Sequence, residues 1–175
     1  MPASQRVELE AQLAPYRRRH RGVRWTSPDT WHLTLLFLAS VPAPRASELV
    51  VLAAAVARAG EGPYRVRVER GGGRHRRGEG VAWLALSEGA DRLMGLAGLA
   101  ADACPADISG RAPPKRTPSA HLTLVRRADA AVVHDLREQA RGPLGVSWLA
   151  DRLVLVRSHL EPGGARYETL HESPL

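Results

Sequence analysis

The sequence predicts an α+β fold. It reads as two lobes related by a pseudo-twofold axis, with two largely antiparallel sheets, outer helices and a central groove. Three observations lead there. Helical and strand periodicities alternate along the chain,. Several strand-like runs are joined by hairpin-length loops, which disfavours a parallel Rossmann-type sheet. The tetrapeptide His-Leu-Thr-Leu occurs at 32–35 and again at 121–124, 89 residues apart in a chain of 175. Each copy follows a proline-containing loop (Pro28, Pro118), opens an apolar run and precedes a helix, as an internal duplication would. Residues 1–175 therefore read as one domain of two interleaved lobes, one carrying His32-Leu-Thr-Leu and the other His121-Leu-Thr-Leu.

Residues 4–20 read as a helix capped by Ser4, with Leu9, Leu13 and Tyr16 at helical spacing and Pro15 expected to end or bend it. Residues 22–27 suit a short strand before the Pro28-Asp29 turn, and 32–38 a dense apolar strand closed by Pro42 and Pro44. An amphipathic helix follows over 46–59. Residues 64–69 and 80–86 read as strands, with Arg70–Glu79 (RGGGRHRRGE) as a glycine-rich basic hairpin loop. A helix over 90–104, a proline-broken basic loop over 111–118, a strand over 121–125 and a helix over about 129–141 come next. A strand within 145–157, a Pro-Gly-Gly turn and a closing strand over 166–170 form a terminal hairpin.

Composition narrows the function. Hydrophobic residues make up 44% and charged residues 25%, so the chain is globular rather than disordered,. The formal charge is +7, and Lys115 is the sole lysine among 25 cations. Arginine suits bidentate contact with phosphate, but a codon bias toward arginine explains the same composition, so the charge permits an anionic partner without demanding one. Cys104 stands alone, which excludes an intramolecular disulfide or a CxxC pair and reads as a small buried hydrophobe,. No run approaches the roughly 18 apolar residues of a membrane span, and no signal peptide is visible. The expected setting is the reducing cytoplasm, with no membrane and no protein partner evident.

Side chains alternate along a strand, so His32 and Thr34 share one face while Leu33 and Leu35 share the other. The same holds for His121 and Thr123. Two imidazoles facing each other supply a general acid and a general base near neutral pH. Two threonine hydroxyls supply neutral donors for non-bridging phosphate oxygens. Such a site needs no metal and no cofactor.

These motifs resemble those of the 2H phosphoesterases, and more narrowly the bacterial RNA 2',3'-cyclic phosphodiesterases, historically called 2'-5' RNA ligases. The likeness rests on GVRWTSPDTWHLTLLFLASV (22–41), on SAHLTLVR (119–126) and on LVLVRSHLEPGGARYETL (153–170). It implies metal-independent hydrolysis of an RNA terminal 2',3'-cyclic phosphate to a 2'-phosphomonoester. It makes His32 the proton donor to the departing oxygen and His121 the acceptor from water, roles the residues alone leave open. It assigns phosphate binding to Thr34 and Thr123, and to Arg126 as the trailing arginine, although strict alternation turns Arg126 away from His121. The implied partner is RNA or an oligonucleotide ending in a 2',3'-cyclic phosphate, or a cyclic nucleotide. The same groove would serve a 2'-5' ligase or phosphodiesterase or another cyclic-nucleotide phosphodiesterase. From another class, a non-catalytic RNA-binding module would keep the fold, but it need not keep both histidines and both threonines.

Around these residues, Arg74, Arg76 and Arg77 on the hairpin, and Arg111, Lys115 and Arg116 before the second motif, could touch an RNA backbone or be solvated loop charges. Trp25, Trp31, Trp83 and Trp148 could each stack a base, but Trp83 and Trp148 read as core, and only Trp31 beside His32 is expected in the groove. His20, His75, His134, His159 and His171 show no metal-ligand spacing. Two departures from the family pattern stand out: Ala39 replaces its usual glycine, and no apolar strand precedes the first helix. A missing strand would leave a sheet edge uncovered, so a shortened reading frame is expected. A chain extended by its upstream in-frame codons should then melt several degrees higher, from a few kcal/mol of added burial. No gain, with no apolar codons upstream, would show that the first lobe closes otherwise.

Overall fold

The computed structural model describes every residue except 39, 77–78, 109–118, 140–143 and 162–163. The elements run α1 (Ala3–Arg19), α2 (Ala46–Ala59), β1 (Tyr64–Arg76), β2 (Glu79–Glu88), α3 (Ala90–Ala103), β3 (His121–Arg126), α4 (Ala130–Gln139), β4 (Val146–Ala150), β5 (Arg152–Glu161) and β6 (Gly164–Pro174). They form a four-stranded sheet ordered β3-β2-β1-β4 and a two-stranded β5-β6 sheet. The mixed α+β class with antiparallel sheets is as expected. The chain divides into two compact units woven from alternate stretches: Met1–Leu33, Arg65–Ala90 and Ser119–Trp148 in one, the remainder in the other.

In the first unit, Val66, Val68, Ala82, Leu84, Leu122 and Leu124 line the buried face of the sheet. Helix α4 packs against β2 and contributes Val132, Val133 and Leu136. Helix α1 buries Leu9, Leu13 and Tyr16. Its Gln12 accepts from the Gly145 backbone N–H at 2.7 Å and donates to the Gly145 carbonyl, tying the helix to the approach to β4. Arg19 and His20, where α1 ends, both reach the Asp135 carboxylate of α4. In the second unit, α2 lies on the β5-β6 hairpin. There Leu49, Cys104 and Ile108 form a core joined by Leu36, Leu38, Val41, Leu52 and Leu155. Burial pushes the Cys104 thiol above its ordinary pKa, so it behaves as the small hydrophobe expected,. Among the described residues no helix is long and apolar enough to cross a membrane.

Several local expectations are corrected. Ser4 lies inside α1 and caps nothing; Pro2 precedes the helix without a side-chain cap. The helix runs through Pro15 to Arg19. Residues 22–27 and 32–38 form no strands, only the isolated bridges Trp25–Val125 and Leu33–Leu122. A 3-10 turn at Pro28–Thr30 follows the first run, and Leu36 and Leu38 of the second pack against the Leu49–Ile108 core rather than in a ladder. Conversely, Arg70–Arg76 is strand, not loop, and the 145–157 run is two strands broken at Asp151. Arg77, Ala39 and the basic residues at 111, 115 and 116 lie outside the described residues.

Burial would raise the Asp135 carboxyl, but the bonds from Arg19 and His20 outweigh it and hold its pKa below the ordinary value of 3.8,. Such a group adds stability above its unfolded pKa and loses it as pH falls through the lowered folded value. Melting temperature should therefore fall below pH 3.8 more steeply in the native protein than in Asp135→Asn. Parallel curves would remove Asp135 from the acid-sensitive contacts.

Candidate active site

Strand β3 carries one face of the site. Its antiparallel register with β2 sets Ala85 against His121, Leu84 against Leu122 and Trp83 against Thr123, then Ala82 against Val125 and Val81 against Arg126. Leu124 has no partner in that ladder, so β3 holds a β-bulge there. Leu124 and Val125 are both buried as a result, and alternation resets. Arg126 returns to the face of His121 and Thr123, which corrects the expectation that it turns away. A perfect ladder was the wrong premise.

His32 reaches the same sheet from the other side of β3. The antiparallel bridge between Leu33 and Leu122 sets His32 abreast of Thr123 on the neighbouring segment,. The Thr26 backbone N–H donates to the Leu124 carbonyl at 2.8 Å, and the Thr26 hydroxyl bonds the Thr123 and Leu124 carbonyls. Trp31 donates its indole N–H to the Thr26 hydroxyl at 2.9 Å. At 4% exposure Trp31 is core, so it cannot stack a base as the sequence led one to expect. Trp25 lies under the Arg17 guanidinium, 5.7 Å from its ring.

The two histidines are held alike. His32 Nδ1 lies 2.7 Å from the Thr30 carbonyl, and His121 Nδ1 lies 2.9 Å from the Ser119 carbonyl, each two residues upstream. A carbonyl only accepts, so each Nδ1 carries a hydrogen and each Nε2 is the atom that gains or loses a proton. His32 is exposed and His121 half-exposed. The surrounding protein lowers the His32 pKa from 6.5 by desolvation, the Thr30 bond works against this, and Arg126, the amino terminus and His121 lower it further,. His32 thus favours its neutral form.

Trp83 is the site residue that sequence reasoning missed. Its ring lies 5.5 Å from that of His121, tilted by 51°. The indole lies over Gly72 of β1, where a Cβ would fall 2.5 Å from Trp83 Nε1. The signal was available, since a bulky aromatic needs a small cross-strand neighbour and RGGGR supplies one. Thr34, also singled out, is exposed and is the second residue after the His32 imidazole, at the start of the second unit's first stretch. Among the described residues, no group of three or more His, Cys, Asp or Glu side chains could hold a metal ion.

Residues 4–83 match the family model described as LigT like Phosphoesterase. The chain is 30% identical to the RNA 2',3'-cyclic phosphodiesterase of Thermus thermophilus, over 97% of this chain and 82% of that one. The crystal structure of TT0787 from the same organism superposes with a TM-score of 0.78 at 27% identity, covering 100% of this chain and 93% of that one. E. coli LigT complexed with 3'-AMP superposes with a TM-score of 0.71 at 26% identity, covering 96% and 91%.

An NMR titration of the His32 ring should give a midpoint below 6.5. In Arg126→Gln, which removes a neighbouring cation, the midpoint should move upward. A midpoint at or above 6.5 in the native protein, or one indifferent to Arg126, would overturn this electrostatic reading.

Proposed function

The chain belongs to the LigT-like phosphoesterases, and on that premise we propose that it hydrolyses an RNA terminal 2',3'-cyclic phosphate to a 2'-phosphomonoester by two-histidine acid–base catalysis without a metal. The observation that carries this reading is the matched pair of Nδ1–carbonyl bonds at His32 and His121. Two imidazoles fixed in one tautomer, each presenting Nε2, make a proton donor and a proton acceptor. The Thermus relative named RNA 2',3'-cyclic phosphodiesterase supports the substrate class.

In the proposed reaction, His121 Nε2 takes a proton from the attacking water as its oxygen bonds to phosphorus. The bond to the 3'-oxygen breaks, and His32 Nε2 protonates that leaving oxygen. A lowered pKa makes His32 a stronger acid toward the leaving group, while reducing the fraction that starts protonated. Thr123 donates its hydroxyl to a non-bridging oxygen, and Arg126 offsets the charge that builds on the phosphoryl group. Thr34 is assigned the same duty as Thr123 on the strength of the motif they share.

Wild-type protein should open a 2',3'-cyclic mononucleotide to the 2'-phosphate in EDTA. His32→Ala and His121→Ala should each lower kcat by about 10²–10⁴, and the double variant should lose less than the product. Near-native turnover by either single variant would sink the assignment. Loss of wild-type activity in EDTA, restored by a divalent ion, would sink metal independence. The residual rate of His121→Ala should fall as pH rises through the His32 pKa; a rate that rises instead would make His32 the base.

A further inference from the structure

Beyond Arg126 the sheet continues into a cavity of about 400 Å³ lined by Arg74, Arg76, Gly80, Val81, Arg126 and Arg127. Three separate constraints gather its arginines. The β1–β2 ladder sets Arg74 against Val81. The bulged β2–β3 ladder sets Val81 against Arg126 on the other side. Arg127 then adopts φ 58°, a left-handed conformation that a non-glycine residue takes at a cost,. That turn is clamped where the Ala128 N–H donates to the Gly80 carbonyl at 2.8 Å. Only glycine fits at 80, since a Cβ there would lie 2.3 Å from the Ala128 carbonyl oxygen.

Among the described residues, no carboxylate lines this cavity. Many of the chain's other arginines meet carboxylates, as Arg19 meets Asp135, Arg45 meets Asp107 and Arg152 meets Glu172. Among the described residues, none of Arg74, Arg76, Arg126 and Arg127 makes such a pair, and all four are exposed. Four like charges brought together by strand register and a strained turn repel one another until an anion joins them. Arg126, at the near end of the cavity, lies about 7 Å along the sheet from Thr123, because their β2 partners Val81 and Trp83 are two residues apart,. Arg126 therefore borders the reacting phosphate, while Arg74, Arg76 and Arg127 are within reach of nucleotides that precede it.

We propose that this arginine cavity binds the backbone phosphates of an RNA strand upstream of its 2',3'-cyclic end, so that the enzyme prefers an oligonucleotide to a cyclic mononucleotide. The inference rests on the function proposed above, and Arg126 joins the two sites. Arginine suits the role because its planar fork can bridge two phosphate oxygens. Contacts of this kind are indifferent to sequence, so the preference is for length and charge rather than for bases.

The test compares wild type with Arg127→Gly and with Arg74→Gln on two substrates: a 2',3'-cyclic mononucleotide and an oligoribonucleotide ending in a 2',3'-cyclic phosphate. Arg127→Gly removes the guanidinium and relieves the left-handed strain, so its melting temperature should equal or exceed that of wild type. Each variant should lower kcat/KM for the oligonucleotide about tenfold and leave the mononucleotide within about twofold. The affinity for an unreactive oligonucleotide ending in a 3'-phosphate, read by fluorescence anisotropy, should fall with salt. The slope of log affinity against log salt should be shallower by about 0.7 for each arginine removed. Equal losses on both substrates, or an unchanged oligonucleotide rate and salt slope, would overturn the subsite. Should wild type hydrolyse neither substrate, the reaction assignment fails, and the anisotropy slopes still decide the arginine cavity.

Discussion

One extra residue in β3 governs the site. The strand must bury leucines in the core and also present polar side chains on its other face, and a regular ladder allows only every second residue to do so. The bulge at Leu124 breaks that parity. Leu122, Leu124 and Val125 all go to the core, while His121, Thr123 and Arg126 share the open face. A bulge forgoes some ladder pairing, and here the loss is offset by consecutive buried side chains and by the Thr26 hydrogen bonds to the bulged residue's carbonyl,. Remove the bulge and the cation leaves the histidines.

Much of this arrangement was legible in the sequence, and the boundary of legibility has physical causes. Helices α2 and α3 were readable almost residue for residue, because Leu49, Ala53 and Val56, or Leu93, Leu96 and Ala100, mark one helical face each. The repeated tetrapeptide pointed to His32, His121 and Thr123 because it is local. Arg126 was misdirected because a bulge is a property of two strands in register, and one strand's alternation does not reveal it. Trp83 was misread for a related reason: an apolar strand looks the same from either side, and what exposes Trp83 is the sheet face shared with His121. The 32–38 run looked like a strand because leucine density does not distinguish a ladder from a packed irregular segment.

The arginines divide by company rather than by number. Arg6, Arg17 and Arg19 of α1, and Arg152, Arg157 and Arg166 of the β5–β6 hairpin, sit beside Asp or Glu and serve as ordinary surface charge, each pair worth little,. Among the described residues, those around the end of β3 pair with no carboxylate, and a strained turn holds one of them in place. A net charge of +7 conceals this division. The placement, not the total, links the arginines to the function proposed here.

Gly72, Trp83 and His121 stand on three successive strands, and each limits the next. The missing side chain on β1 makes room for the indole, and the indole in turn rests against the imidazole. Steric information thus crosses the width of the sheet perpendicular to the strands, without passing through the covalent chain. Position 72 touches no substrate in any reading of the site, yet its identity is coupled to the seating of a histidine two strands away. A bulkier residue there would act as a wedge, and its effect would surface in the posture of the imidazole.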